Sequence, residues 1–308
     1  MRMVDRMSGL WLCAAFATLA CLLPQTAHAK GAQEARKQIQ GSMLVAGRVT
    51  ITQEGTVADW TIDRREELPA AVVNVIDAAA PGWRFEPVVV DGKPAHGNAR
   101  MSLLMAAERI DEERFRVVIR DGYFGREAVR LADDATGRRG KAATEPADDQ
   151  VSAVRMRPPA YPRYAVDLGV QGTVYLVVRV GSAGRVEEAA VEQVNLRVLG
   201  TEREMARMRE VLAEPALAAA RRWEFRPPTT GESADDGTWT VRVPVDYRFQ
   251  GDERRYGRWE AYVPGPRQRI PWRMESLEDF EIAPDVLVAG QVYQVGAGLK
   301  LLGPLEGG

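Results

Sequence analysis

Apolar residues recur at every second position through residues 172–180, where Val174, Leu176, Val178 and Val180 fall on one side of an extended chain. A turn at Gly181–Gly184 and a returning apolar run to Val194 predict a hairpin over 172–194. The same reading applies to 47–62, where Val49, Ile51 and Val57 flank a turn at Glu54 and Gly55. In two later stretches the period changes from two to that of a helix. Leu68 to Ala80 is Ala-rich with helical apolar spacing and is stopped by Pro81-Gly82. Glu204 to Arg221 carries Ala and Leu for a buried stripe and basic residues in its last turn, where the helix dipole favours them.

Each predicted helix runs into a short aromatic strand, "WRFEP" at 83–87 and "RRWEFRPP" at 221–228. Trp and Phe two apart share a side of a strand, so both rings can enter one core while the charges around them stay wet. The proline that follows removes the next ladder hydrogen bond. Residues 99–105 and 238–249 are the candidate closing strands, the second strongly β-branched. The order hairpin, helix, aromatic strand and closing strand thus occurs twice. Gly55 to Gly184 is an offset of 129 and Trp83 to Trp223 one of 140, so the second copy carries 11 more residues between turn and tryptophan. "NLRVLGTERE" (195–204) holds that insertion, a change that surface loops tolerate.

With 308 residues, 45% apolar, 27% charged and a net charge of −2, the chain has room for two small domains and lacks the basic balance that nucleic-acid binding needs. Arg2 and Arg6 precede the apolar run 10–23, and "AHA" at 27–29 offers a cut before Lys30, the layout of a secretory signal peptide over 1–29. A retained leader would act as a short anchor and bring inner-membrane association; lipidation at Cys21 is a third outcome. Cys13 and Cys21 both lie in this leader, which leaves the mature chain without a disulfide or thiol ligand.

No constellation for catalysis emerges, so the chain reads as a non-enzyme without metal or cofactor. Ser182 in "GSAG" is turn chemistry, His96 between Ala and Gly is a loop residue, and "GAG" at 296–298 lacks the rest of a dinucleotide fingerprint. The charged mixture at 107–152 reads as a helical or hairpin segment followed by a solvated linker. The tail, 251–308, is rich in Arg, Trp, Tyr and Pro at its start, a composition suited to an extended segment that lies on the protein's own surface or contacts a partner.

Tyr161-Pro162 with Ala165, Gly169, Gly172-Thr-Val174, Gly184-Arg-Val186, the Arg-Trp-aromatic-Arg-Pro strand and "VRVPVDYRF" follow in order over 158–249, and this stretch resembles the carboxy-terminal domain of the TonB family. Residues 42–106 are similar to a degenerate copy without the Tyr-Pro lead-in. The resemblance implies an α+β fold of tandem domains, 42–106 and 153–250, each an antiparallel sheet of about three strands packed on helix. It implies a periplasmic protein whose second domain binds an outer-membrane TonB-dependent transporter, or another envelope protein, by β-strand addition, as energy transducer in transport.

The alternative is a structural adaptor of the envelope with no energy coupling. Transducing members resemble a piston, with a His-bearing membrane helix and a Pro-rich spacer; here the only histidines are His28 and His96, and a second folded copy stands where the spacer would be. For strand addition the expected contact surface is an exposed edge formed by Trp239, Thr240, Val241, Arg242, Val243, Val245 and Tyr247, helped by Tyr161 and Pro162. Arg242 is expected to point outward, Pro244 to interrupt pairing, and the same edge to offer a route to a homodimer.

Overall fold

The computed structural model describes residues 36–90, 92–111, 114–125, 148–252, 255–272 and 282–306. The expected leader at 1–29 and most of the expected linker, 126–147, lie outside the described residues.

Strand β1 (Gln40–Ile51) is the centre of a five-stranded antiparallel sheet. β5 (Gly97–Arg109) pairs with it from Gly41↔Ala107 to Ile51↔Gly97, and β6 (Phe115–Gly125) lies beyond β5. On its other side β2 (Val57–Ile62) pairs with the second half of β1, and β12 (Glu260–Tyr262) with its first three residues. Helix α1 (Ala70–Ala79) buries Val72, Val73, Ile76 and Ala79, the stripe its sequence spacing predicts. A small hairpin of β3 (Val88–Val90) and β4 (Lys93–Ala95) leads into β5.

The second sheet runs in the order β13-β11-β8-β9, where β13 is Tyr293–Gln294. β8 (Gly172–Gly181) is central, with Val174, Leu176, Val178 and Val180 wholly buried on one face. It pairs with β9 (Val186–Leu196) and with β11 (Thr238–Tyr247), both antiparallel. Helix α3 (Glu202–Ala220) opens on a capping box in which Thr201 and Glu204 satisfy each other's backbone N–H groups, and it buries Met205, Leu212, Ala216 and Ala220. A short helix α2 (Arg163–Asp167) precedes β8, and β7 (Ser152–Arg155) pairs with β10 (Glu224–Arg226).

The two units share local geometry residue by residue. Trp83 and Phe85 are each 1% exposed, and Trp223 and Phe225 are 2% and 4% exposed, so both aromatic pairs are core. The Phe85 N–H donates to the Gly55 carbonyl at 2.8 Å, and the Phe225 N–H donates to the Gly184 carbonyl at 2.8 Å. Gly55 and Gly184 have φ of 76° and 72°, and a Cβ there would stand 1.9 Å and 2.1 Å from the carbonyl oxygens of Phe85 and Phe225. Both the left-handed turn and the close strand require glycine.

The sequence expectations are refined at three places. The sheets have five and four strands where about three were expected, because β6, β12 and β13 (Tyr293–Gln294) come from segments that local periodicity does not tie to either unit. In the segment from 107, β5 continues to Arg109 and β6 returns antiparallel from Phe115. The described parts of the tail pack into the protein itself and join both sheets, with Val286, Leu287 and Tyr293 in the first core and Val263 and Val292 in the second. Residues 260–262 pair with β1, and the next residue, Val263, exchanges hydrogen bonds with Leu196 at the end of β9 at 2.7 and 3.0 Å.

Candidate partner-binding edge

β11 lies between β8 and the tail. Its inner side forms a continuous ladder with β8 from Thr238↔Gly181 to Tyr247↔Gly172. Its outer side is not the open edge expected from sequence. β13 pairs with it at Val241↔Gln294 and Arg242↔Tyr293, the Val295 N–H donates to the Thr240 carbonyl at 2.9 Å, and the Gly290 N–H donates to the Pro244 carbonyl at 2.9 Å. Since the carbonyls of Thr240 and Pro244 point outward and groups alternate along a strand, Thr240, Arg242 and Pro244 form the outward register, and Val241 and Val243 turn their N–H groups to β8. Pro244 therefore lacks a donor on the outer side, where a proline is tolerated.

The side chains named from sequence divide by register. Val241 and Val243 are buried with the β8 stripe, Trp239 is buried and donates its indole N–H to the Ser233 carbonyl at 2.7 Å, and Val245 is half-buried. Arg242, expected to point outward, is 6% exposed: its guanidinium lies 3.0 Å from Glu192 of β9, on the opposite side of β8, and donates to the Ile282 carbonyl at 3.4 Å. Glu192 is 1% exposed and also pairs with Arg267 at 2.8 Å. The outward expectation failed because the tail covers this face of the sheet, and a buried guanidinium is retained only where carboxylate and carbonyl partners meet it.

Tyr161 does reach β11, at its far end. The Tyr161 ring meets Tyr247 edge-on at 5.3 Å and stacks on Phe249 at 5.5 Å and 12°, while its hydroxyl donates to the Val170 carbonyl at 2.6 Å. Pro162 opens α2 as its N-cap. The Tyr247 hydroxyl is buried with no hydrogen-bond partner among the described residues, and burial pushes its pKa up. Beside it, burial would raise Asp246, but Arg197 at 2.6 Å and Arg248 at 2.5 Å outweigh that and hold its carboxyl below the ordinary aspartate range. Arg248 also reaches Glu260 at 2.8 Å, tying this end of β11 to β12 of the first sheet.

The sequence reading missed Tyr293 and Gln294. Tyr293 is 2% exposed, packs edge-on against Tyr123 at 5.1 Å and bonds through its hydroxyl to the Val288 backbone; Gln294 accepts from the Val151 N–H at 2.8 Å. The only sequence signal was the short apolar alternation in "QVYQV" (291–295), too brief to assign a strand. Among the described residues no group of three or more His, Cys, Asp or Glu could hold a metal ion, and no helix is long and apolar enough to cross a membrane. The site is thus a backbone edge, lined by aromatic and ion-paired side chains, that holds an extended segment antiparallel.

No protein-family model matches the chain. It is similar to the TonB2 protein of Pseudomonas aeruginosa, 36% identical over 91 residues, which are 30% of this chain and 28% of that one. It is likewise similar to the TonB protein of Xanthomonas campestris pv. campestris, 36% identical over 97 residues, 32% of this chain and 37% of that one. The chain therefore spans about a third of the length of the curated relatives it matches. The solution NMR structure of the Pseudomonas aeruginosa TonB carboxy-terminal domain aligns with 34% of this chain and 91% of that chain at 24% identity and a TM-score of 0.22.

Proposed function

We propose, from the premise that residues 158–249 are a TonB-family domain, that the protein is a non-enzymatic binding module of the periplasm that takes up an extended segment of an envelope protein as an added strand on β11. The partner we favour is a periplasm-facing segment of an outer-membrane TonB-dependent transporter. The observation that carries this reading is that β11 already holds an antiparallel segment, its own Tyr293–Gln294, with two carbonyls, those of Thr240 and Pro244, engaged on its outer side. In this reading the partner replaces β13 on an edge built to accept a strand. The first unit is a second, degenerate domain of the same kind, a view supported by the matched glycine turns and aromatic strands.

The closed edge also favours a second reading, a structural adaptor whose tail keeps β11 permanently paired and whose two units hold envelope components together with no energy coupling. Titration of transporter-segment peptides into the full chain and into Tyr293→Ala separates the two. Capture on β11 predicts measurable binding that tightens when Tyr293→Ala loosens the tail. An adaptor predicts no binding to either, and binding equal in both would place the contact elsewhere.

A further inference from the structure

The first unit is closed by the end of the chain. Phe85 pairs with Leu301, the Glu86 N–H donates to the Lys300 carbonyl at 2.9 Å, and the Leu302 N–H donates to the Arg84 carbonyl at 2.8 Å. On the other flank the Leu299 N–H donates to the Phe124 carbonyl of β6 at 2.8 Å. The Trp83 indole N–H donates to the Leu305 carbonyl at 2.9 Å. Leu299, Leu301 and Leu305 pack against the core that contains Trp83, Phe85 and Phe124, while Leu302 is exposed.

The second unit is closed through the same two aromatic contacts by a different part of the chain. Phe225 pairs with Ala153, and the Trp223 indole N–H donates to the Arg157 carbonyl at 2.9 Å. From Leu301 to Leu305, as from Ala153 to Arg157, is four residues, so the two occupants match at the Phe and Trp positions, while between them the second carries a bulge that pairs Glu224 with Arg155 where Arg84 meets Leu302. The second unit takes this strand from residues that immediately precede it. The first takes it from residues more than 200 positions further along, in place of the lead-in that its own sequence lacks. The same Phe pairing and Trp indole bond formed from opposite sides in sequence mean that the aromatic pair defines the fit, and the covalent connection does not.

We propose that residues 83–86, with Phe124 beside them, form a strand-acceptor groove specific for an extended segment with leucines spaced as in 299, 301 and 305. Its ligand is the carboxy-terminal segment of this chain, bound in cis and able to enter the groove of a second copy in trans. The groove is a site separate from β11. Its recognition elements are the backbone groups of Arg84 and Glu86, the Trp83 indole N–H, and the apolar wall formed by Phe85 and Phe124, whose rings meet edge-on at 4.9 Å.

A protease recognition sequence inserted after the exposed Gly296 allows the folded full chain to be cut so that the segment from 297 onward is held by non-covalent contacts alone. The proposal expects the cut fragment to co-elute with the body of the protein in gel filtration. A labelled synthetic peptide of residues 297–308 should exchange into the cut protein. Trp83→Phe, which keeps a ring but loses the donor, should speed release about fivefold, the loss expected for one hydrogen bond. Trp223→Phe, the same change in the second unit, should leave release unchanged. A fragment that separates at once while the melting transition stays in place would overturn the proposal, as would equal effects of the two substitutions. Should the insertion disturb folding, hydrogen exchange on the unaltered chain decides: slow exchange of the Glu86 and Leu302 amides supports the groove, and rapid exchange of both contradicts it.

Discussion

Trp223 is 2% exposed, and its one polar atom is satisfied by the Arg157 carbonyl, so it stands as a core residue and not as a ligand contact. Trp223→Ala is expected to destabilise the protein by about 3–5 kcal/mol, read from chemical denaturation, and an unchanged unfolding midpoint would contradict the assignment. Gly184→Ala places a side chain in left-handed backbone against the Phe225 carbonyl, with an expected loss of ~1–3 kcal/mol by the same measurement. Asp246 gives a pH signature. Its folded-state pKa is depressed by Arg197 and Arg248, so its contribution to stability is complete above the ordinary aspartate value, about pH 4, and is lost as pH falls through the lower folded value. Asp246→Asn should remove that contribution, so its loss relative to the native chain is largest at neutral pH and shrinks as pH falls through the folded value.

At the scale of elements, the outward register of β11 makes proline substitution informative. Val241 and Val243 direct their N–H groups to β8, so Val241→Pro or Val243→Pro should disrupt the central ladder and lower stability by about 3 kcal/mol or more. Thr240→Pro removes a donor from the outer side and should spare that ladder while weakening whatever strand is added there. Circular dichroism melting separates the two classes, and comparable losses for Val241→Pro and Thr240→Pro would show that the register is misassigned. Much of this was legible in the sequence. The hairpins, both helices and both buried Trp-x-Phe pairs follow from spacing within about twenty residues, and Gly55 and Gly184 mark turns whose chemistry is local. Of the two expected aromatic strands only the second forms, as β10, while Arg84 and Phe85 make isolated bridges to Thr56 and Leu301. The outer strand of β11 was not legible, because β13 is two residues long and its partners lie some fifty positions away. The burial of Arg242 was hidden for the same reason: its partners Glu192 and Ile282 are distant in sequence.

For the molecule as a whole, the tail turns two locally specified units into one network. Residues 260–263 bridge the two sheets, Arg248 and Glu260 join β11 to β12, and residues 299–305 close the first unit. The central claim is that an envelope partner adds as a strand to the outer side of β11, in place of β13. Hydrogen–deuterium exchange on the full chain, with and without a saturating transporter-segment peptide, tests it most directly. The account predicts that residues 290–295 lose protection when peptide binds, that the outward amide of Arg242 stays protected, and that the β8 ladder is unchanged. Peptide binding that leaves the exchange of residues 290–295 unaltered, with new protection elsewhere, would contradict it.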